Sequence, residues 1–197
     1  ELVNDLKQDY SYWNRRGISD ETLKLNIGGV SKGRYWFLIY NSKGQIIGKT
    51  GRDLTNQSKV KWRHNGKKSG NHGWVYNAYL NSQFIRDKKE VIIVESPGDY
   101  LSCYECGIKN CLVLFGVEMS LSILNYLLRI NPNKIIISLN DDSDNNYVGN
   151  EAADKLYRRL NKYFDKPQLE IRLPKLAKDW NLALTKYGKN SIIEQLS

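Results

Sequence analysis

Val91-Ile92-Ile93-Val94-Glu95-Ser96-Pro97-Gly98-Asp99 is the stretch whose reading decides the fold. Four β-branched residues in succession read as a strand buried on both faces, as parallel sheets require. The run stops at a carboxylate, Glu95, and Pro97 and Gly98 break the chain directly after it. Asp99 then opens a helix. In open α/β sheets ligands settle beyond the carboxyl ends of the strands, so Glu95 and Asp99 stand where chemistry is expected. A plainer reading stays open, a solvated loop in which Asp99 is an N-cap.

Downstream of this strand the pattern repeats. Leu112–Phe115, Ile135–Leu139 and Leu169–Leu173 are further strand candidates. Asp99–Gly107, Leu121–Ile130 and Glu151–Phe164 carry helical periodicity between them, clearest in the stripe Ala153, Leu156, Tyr157, Leu160 and Phe164. Strands alternating with helices mean βαβ units and a parallel four-stranded sheet flanked by helices, an α/β fold. Leu176–Tyr187 closes the series as a helix led by Lys178-Asp179-Trp180-Asn181.

Upstream the grammar differs. Residues 3–15 have irregular helical spacing and are predicted as a helix; Ser19 caps a second one, which Gly28-Gly29 ends. Residues 34–50 read as a hairpin of Arg34–Tyr40 and Gln45–Thr50 about an Asn41-Ser42-Lys43-Gly44 turn. Lys61-Trp62-Arg63 is a short strand candidate, Gly70-Asn71-His72-Gly73 a loop, and Trp74–Tyr76 short and extended. The division expected is a small basic α+β subdomain over 1–90, an α/β domain over 91–187, and a C-terminal extension over 188–197.

Net charge is +9, and it is unevenly placed. Residues 1–90 hold 17 Lys and Arg against 8 Asp and Glu, whereas 91–197 hold 13 of each. Within 43–76 eight cations face Asp53 alone. A basic half joined to an acid-tipped half suggests a polyanion held against a metal-ion site; a merely basic protein is the bland alternative. The longest apolar stretches are far short of the roughly 20 residues a membrane span needs. The first residues lack a signal peptide's order, so a cytoplasmic protein without membrane partners is expected. The first residue is Glu1 rather than Met, which points to a piece of a longer chain or a processed product. Cys103, Cys106 and Cys111 fall within nine residues, and they read as reduced core thiols rather than a zinc site, which needs four ligands.

The acids carry the functional signal. Glu95 and Asp99 follow the first strand of the α/β half, Asn140-Asp141-Asp142-Ser143-Asp144 the third, and Asp179 the fourth. In a parallel sheet all three groups share one edge. Carboxylates gathered there repel and raise one another's pKa unless cations neutralise them. Oxygen-only donors suit Mg²⁺ or Mn²⁺, and such sites favour in-line displacement at phosphorus.

On these residues 91–181 resembles a Toprim domain, whose pattern is a strand-end Glu with an Asp four residues on, then Asp-x-Asp after a later strand. Glu95 and Asp99 match the first element; Asp142 with Gly149-Asn150-Glu151-Ala152-Ala153 matches the second, and Gly116 and Ser120 the glycine loop between. Lys178-Asp179-Trp180-Asn181 resembles the last acidic motif of primases. Arg15-Arg16-Gly17-Ile18-Ser19 resembles the Arg-Gly-Leu-Ser segment of DnaG-type (bacterial and phage-like) DNA primases, and Gly48–Arg52, Lys61-Trp62 and Lys67-Lys68 resemble their basic strands and loops. The resemblance covers about residues 12–187, a primase catalytic core. It departs at Ser96, where glycine is usual, at Asn140 and Asn181, where acids are common, and in the longer 143–148 segment. Asp141 substitutes for the missing first acid in one assignment, and Asp142-x-Asp144 is another.

The resemblance implies RNA primer synthesis from NTPs on a single-stranded DNA template, with a replicative helicase as a further partner. It implies Glu95, Asp99 and Asp142 as catalytic acids, and Glu95, Asp99, Asp141, Asp142 and Asp179 as ligands of Mg²⁺ or Mn²⁺. Arg16, Arg52, Lys61, Lys67 and Lys68 would clasp phosphates, and Trp62 and Trp74 would stack on bases. Core positions are the plainer reading for both tryptophans, and more so for Trp36. His64 and His72 read as surface or hydrogen-bonding residues. Two rival readings are a Toprim nuclease or topoisomerase fragment, and a single-stranded-DNA-binding module with weakened catalysis.

Overall fold

A computed structural model describes the chain apart from residues 1–4, 27, 69–72, 77 and 143–147, and apart from the side chains at 78–80 and 148–149. The expected loop at 70–72, His72 and Asp144 therefore lie outside the described residues. The α/β half contains β5 (Glu90–Val94), α4 (Pro97–Glu105), β6 (Cys111–Val113), α5 (Leu121–Ile130), β7 (Lys134–Ile137), α6 (Val148–Leu160), β8 (Leu169–Ile171) and α7 (Trp180–Tyr187). Its strands pair in parallel in the order β6-β5-β7-β8. Successive strands lie on opposite sides of β5, so the connections diverge between β5 and β7, the switch point at which such sheets open a crevice.

The β-branched run in β5 explains its central place. Val91 and Ile93 point into one apolar cluster with Ile85, Leu112, Leu127, Ile135, Leu156 and Leu160. Ile92 and Val94 point the other way, into a second cluster with Trp13, Phe37, Trp74, Tyr100, Trp180 and Ile192. Strand alternation thus puts helices under both faces. The second cluster also joins the two halves of the chain, since Trp13, Phe37 and Trp74 come from the basic part.

That part is built on an antiparallel sheet in the order β1 (Gly28–Ser31), β2 (Arg34–Tyr40), β3 (Ile46–Asp53), β4 (Trp62–Gly66). The predicted hairpin is present as β2 and β3, and Lys61-Trp62-Arg63 lies at the start of β4. Two expectations fail here. The helix over 3–15 is reduced to α1 (Ser11–Asn14), because Lys7 exchanges backbone hydrogen bonds of 2.9 and 2.7 Å with Val30 at the sheet edge. Gly28-Gly29 opens β1 rather than ending α2 (Asp20–Leu25), and a Cβ at Gly28 would collide with the Trp36 carbonyl. Residues 73–76 belong to no strand, and Trp74 and Tyr76 are fully buried. Two helices went unread: α3 (Ala78–Lys88), packed on β5 and β6, and α8 (Lys189–Leu196), whose Ile192 and Leu196 enter the shared core. No described helix is long and apolar enough to cross a membrane.

Candidate active site

A cleft of about 410 Å³ opens where the two sheets meet, lined on one wall by Glu95, Asp99, Asp142 and Asp179. Arg16, Arg52, Lys61 and Trp62 line the facing wall. Of the other sequence-derived residues, Asp141 and Lys67 are not part of the lining. Lys68 Nζ donates to the Phe115 carbonyl at 2.9 Å, beside Gly116 at the rim.

Each acid is placed by a strand end or helix start. Glu95 directly follows β5. Burial raises its pKa, and the charge of Asp142 raises it further, against the Asn140 N–H and Lys178, which lower it. Glu95 Oε2 is buried and has no hydrogen-bond partner. Asp99 is buried and fully engaged: Oδ2 accepts from the Ser96 N–H and hydroxyl at the start of α4, and Oδ1 accepts from the Trp180 N–H at 3.0 Å. It therefore pins the first turn of α4 to the first turn of α7. Burial and the Asp179 charge push its pKa up to about 7. Asp179 caps α7 through the Leu182 N–H at 2.7 Å.

Asp142 lies in the loop after β7. Its N–H donates to Asn150 Oδ1, and Asn150 Nδ2 donates to Asp141 Oδ1 at 3.2 Å, so the start of α6 orients both acids. Asp142 Oδ1 forms an ion pair with Lys178 Nζ. Among the described residues no three His, Cys, Asp or Glu side chains form a finished metal cage. The donors that line the wall are nonetheless all oxygens, and the orphaned, buried Glu95 Oε2 is the atom a hard divalent cation would satisfy. Glu95, Asp142 and Asp179 line the same cleft wall.

The cationic wall depends on a residue the sequence reading missed. Tyr12 lies under the Arg16 guanidinium, 4.7 Å from ring centroid to Cζ, and its hydroxyl accepts from Arg52 Nε at 3.1 Å. One tyrosine thus aims two guanidiniums at the cleft. Arg16 also donates to Asn181 Oδ1, while Asn181 Nδ2 donates to Ser102. The Tyr12–Arg16 spacing was the available signal, but nothing in it named Arg52 as the second partner.

Trp62 is half-buried, stacked on Trp13 with centroids 6.5 Å apart, and carries Arg52 over its ring. The expectation that Trp74 stacks on bases fails, because Trp74 is 1 % exposed and packs edge-on against His64 and Phe115. Trp36 is core, as the plainer reading had it. His64 lines the cleft and bonds Thr50 at 2.9 Å; burial and the Lys68 charge lower its pKa and favour the neutral ring. Cys103 and Cys111 are buried free thiols.

Known proteins share this fold. Residues 92–184 match the family model described as Toprim-like. A Mycoplasma genitalium protein described as uncharacterized protein MG010 is 29 % identical over 190 residues, with 91 % of this chain and 83 % of that one covered. A Helicobacter pylori DNA primase is 26 % identical over 160 residues, 76 % of this chain but 28 % of its own length. The chain thus spans little more than a quarter of that primase. Among solved structures, a DnaG primase catalytic domain bound to ssDNA superimposes with a TM-score of 0.77 at 18 % identity, covering 94 % of this chain and 69 % of the other.

Proposed function

We propose, from the premise that residues 92–184 are a Toprim-like domain in a DnaG-type primase core, that this chain synthesises RNA primers from NTPs on single-stranded DNA. The observation that carries the reading is the cleft itself: carboxylates from three loops of the parallel sheet face Arg16, Arg52 and Lys61 of the basic half across about 410 Å³. In this reading the functional parts are 1–90, 91–187 and 188–197, and the setting is cytoplasmic, where thiols such as Cys103 stay reduced.

Glu95, Asp142 and Asp179 would hold Mg²⁺ or Mn²⁺, with Asp141 close behind Asp142. The bound ion supplies Lewis acidity that lowers the pKa of a primer 3′-hydroxyl and neutralises charge on a triphosphate. Asp99 keeps α4 and α7 in register, so that Glu95 and Asp179 converge. Arg16 and Arg52, preset by Tyr12, clamp phosphate oxygens with forked donors. Lys61, Lys67 and Lys68 offer point charges to a template backbone, and the half-buried Trp62 offers its ring to a base. A replicative helicase is the partner that such a core would serve.

The test offers NTPs, dNTPs and labelled single-stranded DNA together with Mg²⁺ or Mn²⁺. Metal-dependent NTP incorporation is expected, and Glu95→Gln should abolish it with the fold intact. Strand cleavage instead of synthesis would mean a Toprim nuclease; binding with no turnover would mean a binding module.

A further inference from the structure

Lys178 is the one cation of the cleft, among the described residues, that is ion-paired to a cleft carboxylate. Arg16 and Arg52 are held by Asn181 and Tyr12 instead. The Lys178 backbone is fixed, because its carbonyl accepts from the Asp141 N–H at 2.8 Å and ties the segment before α7 to the loop after β7. Its side chain is not fixed to the same degree: it is 48 % exposed, whereas that of Asp142 is 16 % exposed. A set carboxylate is therefore met by a long, solvent-facing ammonium on a pinned backbone.

The remaining acids define what that ammonium is doing. Both Asp99 oxygens are committed to Ser96 and Trp180, and Asp179 Oδ1 caps α7. Glu95 Oε2 is open, and Asp142 Oδ1 is taken by Lys178. An ammonium and a divalent cation cannot share one carboxylate oxygen without strong repulsion at this range.

Resting on the primer-synthesis reading, we propose that Lys178 is the built-in counter-cation of this site: it holds Asp142 when no divalent ion is bound, yields Asp142 to that ion, and then turns to the phosphates of the incoming nucleotide.

The test is calorimetric titration of Mn²⁺, then of ATP with Mn²⁺ present, into the wild-type chain, Lys178→Met and Lys178→Arg. Near-ultraviolet circular dichroism checks the fold of each. The Met variant is expected to bind Mn²⁺ on the order of tenfold tighter and ATP on the order of tenfold weaker, with Arg returning both toward wild type. A purely structural ion pair would leave Mn²⁺ affinity equal or lower, and that result overturns the proposal. Tighter Mn²⁺ with unchanged ATP affinity overturns the phosphate step. Failure of every folded protein to take up Mn²⁺ would overturn the metal-dependent function itself, and this role with it.

Discussion

Glu105, at the end of α4, fastens that helix to two distant segments. It accepts from the Ser19 N–H at 3.0 Å and from the Ser19 and Thr22 hydroxyls at 2.8 and 2.6 Å, and pairs with Lys189 at 2.7 Å. Burial works against its charge, but Lys189, Thr22 and Ser19 outweigh it and lower the pKa from the ordinary 4.5 to about 2. A depressed carboxylate pKa contributes stability above the unfolded value and loses it as pH falls through the folded one. Glu105→Gln is therefore expected to cost about 1–2 kcal/mol at neutral pH. Its deficit should close as pH falls from about 4.5 to about 2, read by urea denaturation across pH. None of this was legible in the sequence: Ser19 read as a cap, which it is, but its partner lies 86 residues away.

Among the elements, β3 is the one that lets the basic sheet lie against the aromatic core. A Cβ at Gly48 would come within 2.5 Å of the Trp74 ring and 2.7 Å of the Asn65 carbonyl. Gly48→Ala should cost about 1–3 kcal/mol and displace the indole, visible as a shifted tryptophan emission together with a lower urea midpoint. The elements of the α/β half were legible because each has its own period. The Leu121–Ile130 helix is present with the predicted bounds, and each of the four strands lies within two residues of its expected place. The opening segment was not, because irregular apolar spacing at 3–15 is compatible with a helix or an edge strand, and the pairing of Lys7 with Val30 decided it. Of the two readings open for Trp74, core burial holds and base stacking fails, because β3 and β4 bring Gly48 and His64 against the indole.

Across the whole molecule, function depends on two oppositely charged walls about one cleft. Single-stranded DNA binding is expected to weaken steeply with salt, and Lys61→Ala should lower the slope of log affinity against log salt by about one. An unchanged slope in a fluorescence-anisotropy titration would remove Lys61 from the template path. By itself the sequence determined the parallel α/β half, the acids at its strand ends and the basic surplus of the first ninety residues, because periodicity and charge are local properties of the chain. Only the tertiary structure decided which oxygens remain open at the cleft, that Tyr12 aims two arginines, and that Lys178 sits on Asp142. Those depend on side chains brought together from segments far apart in the chain, and hydrogen-bond capacity is spent only when such segments meet.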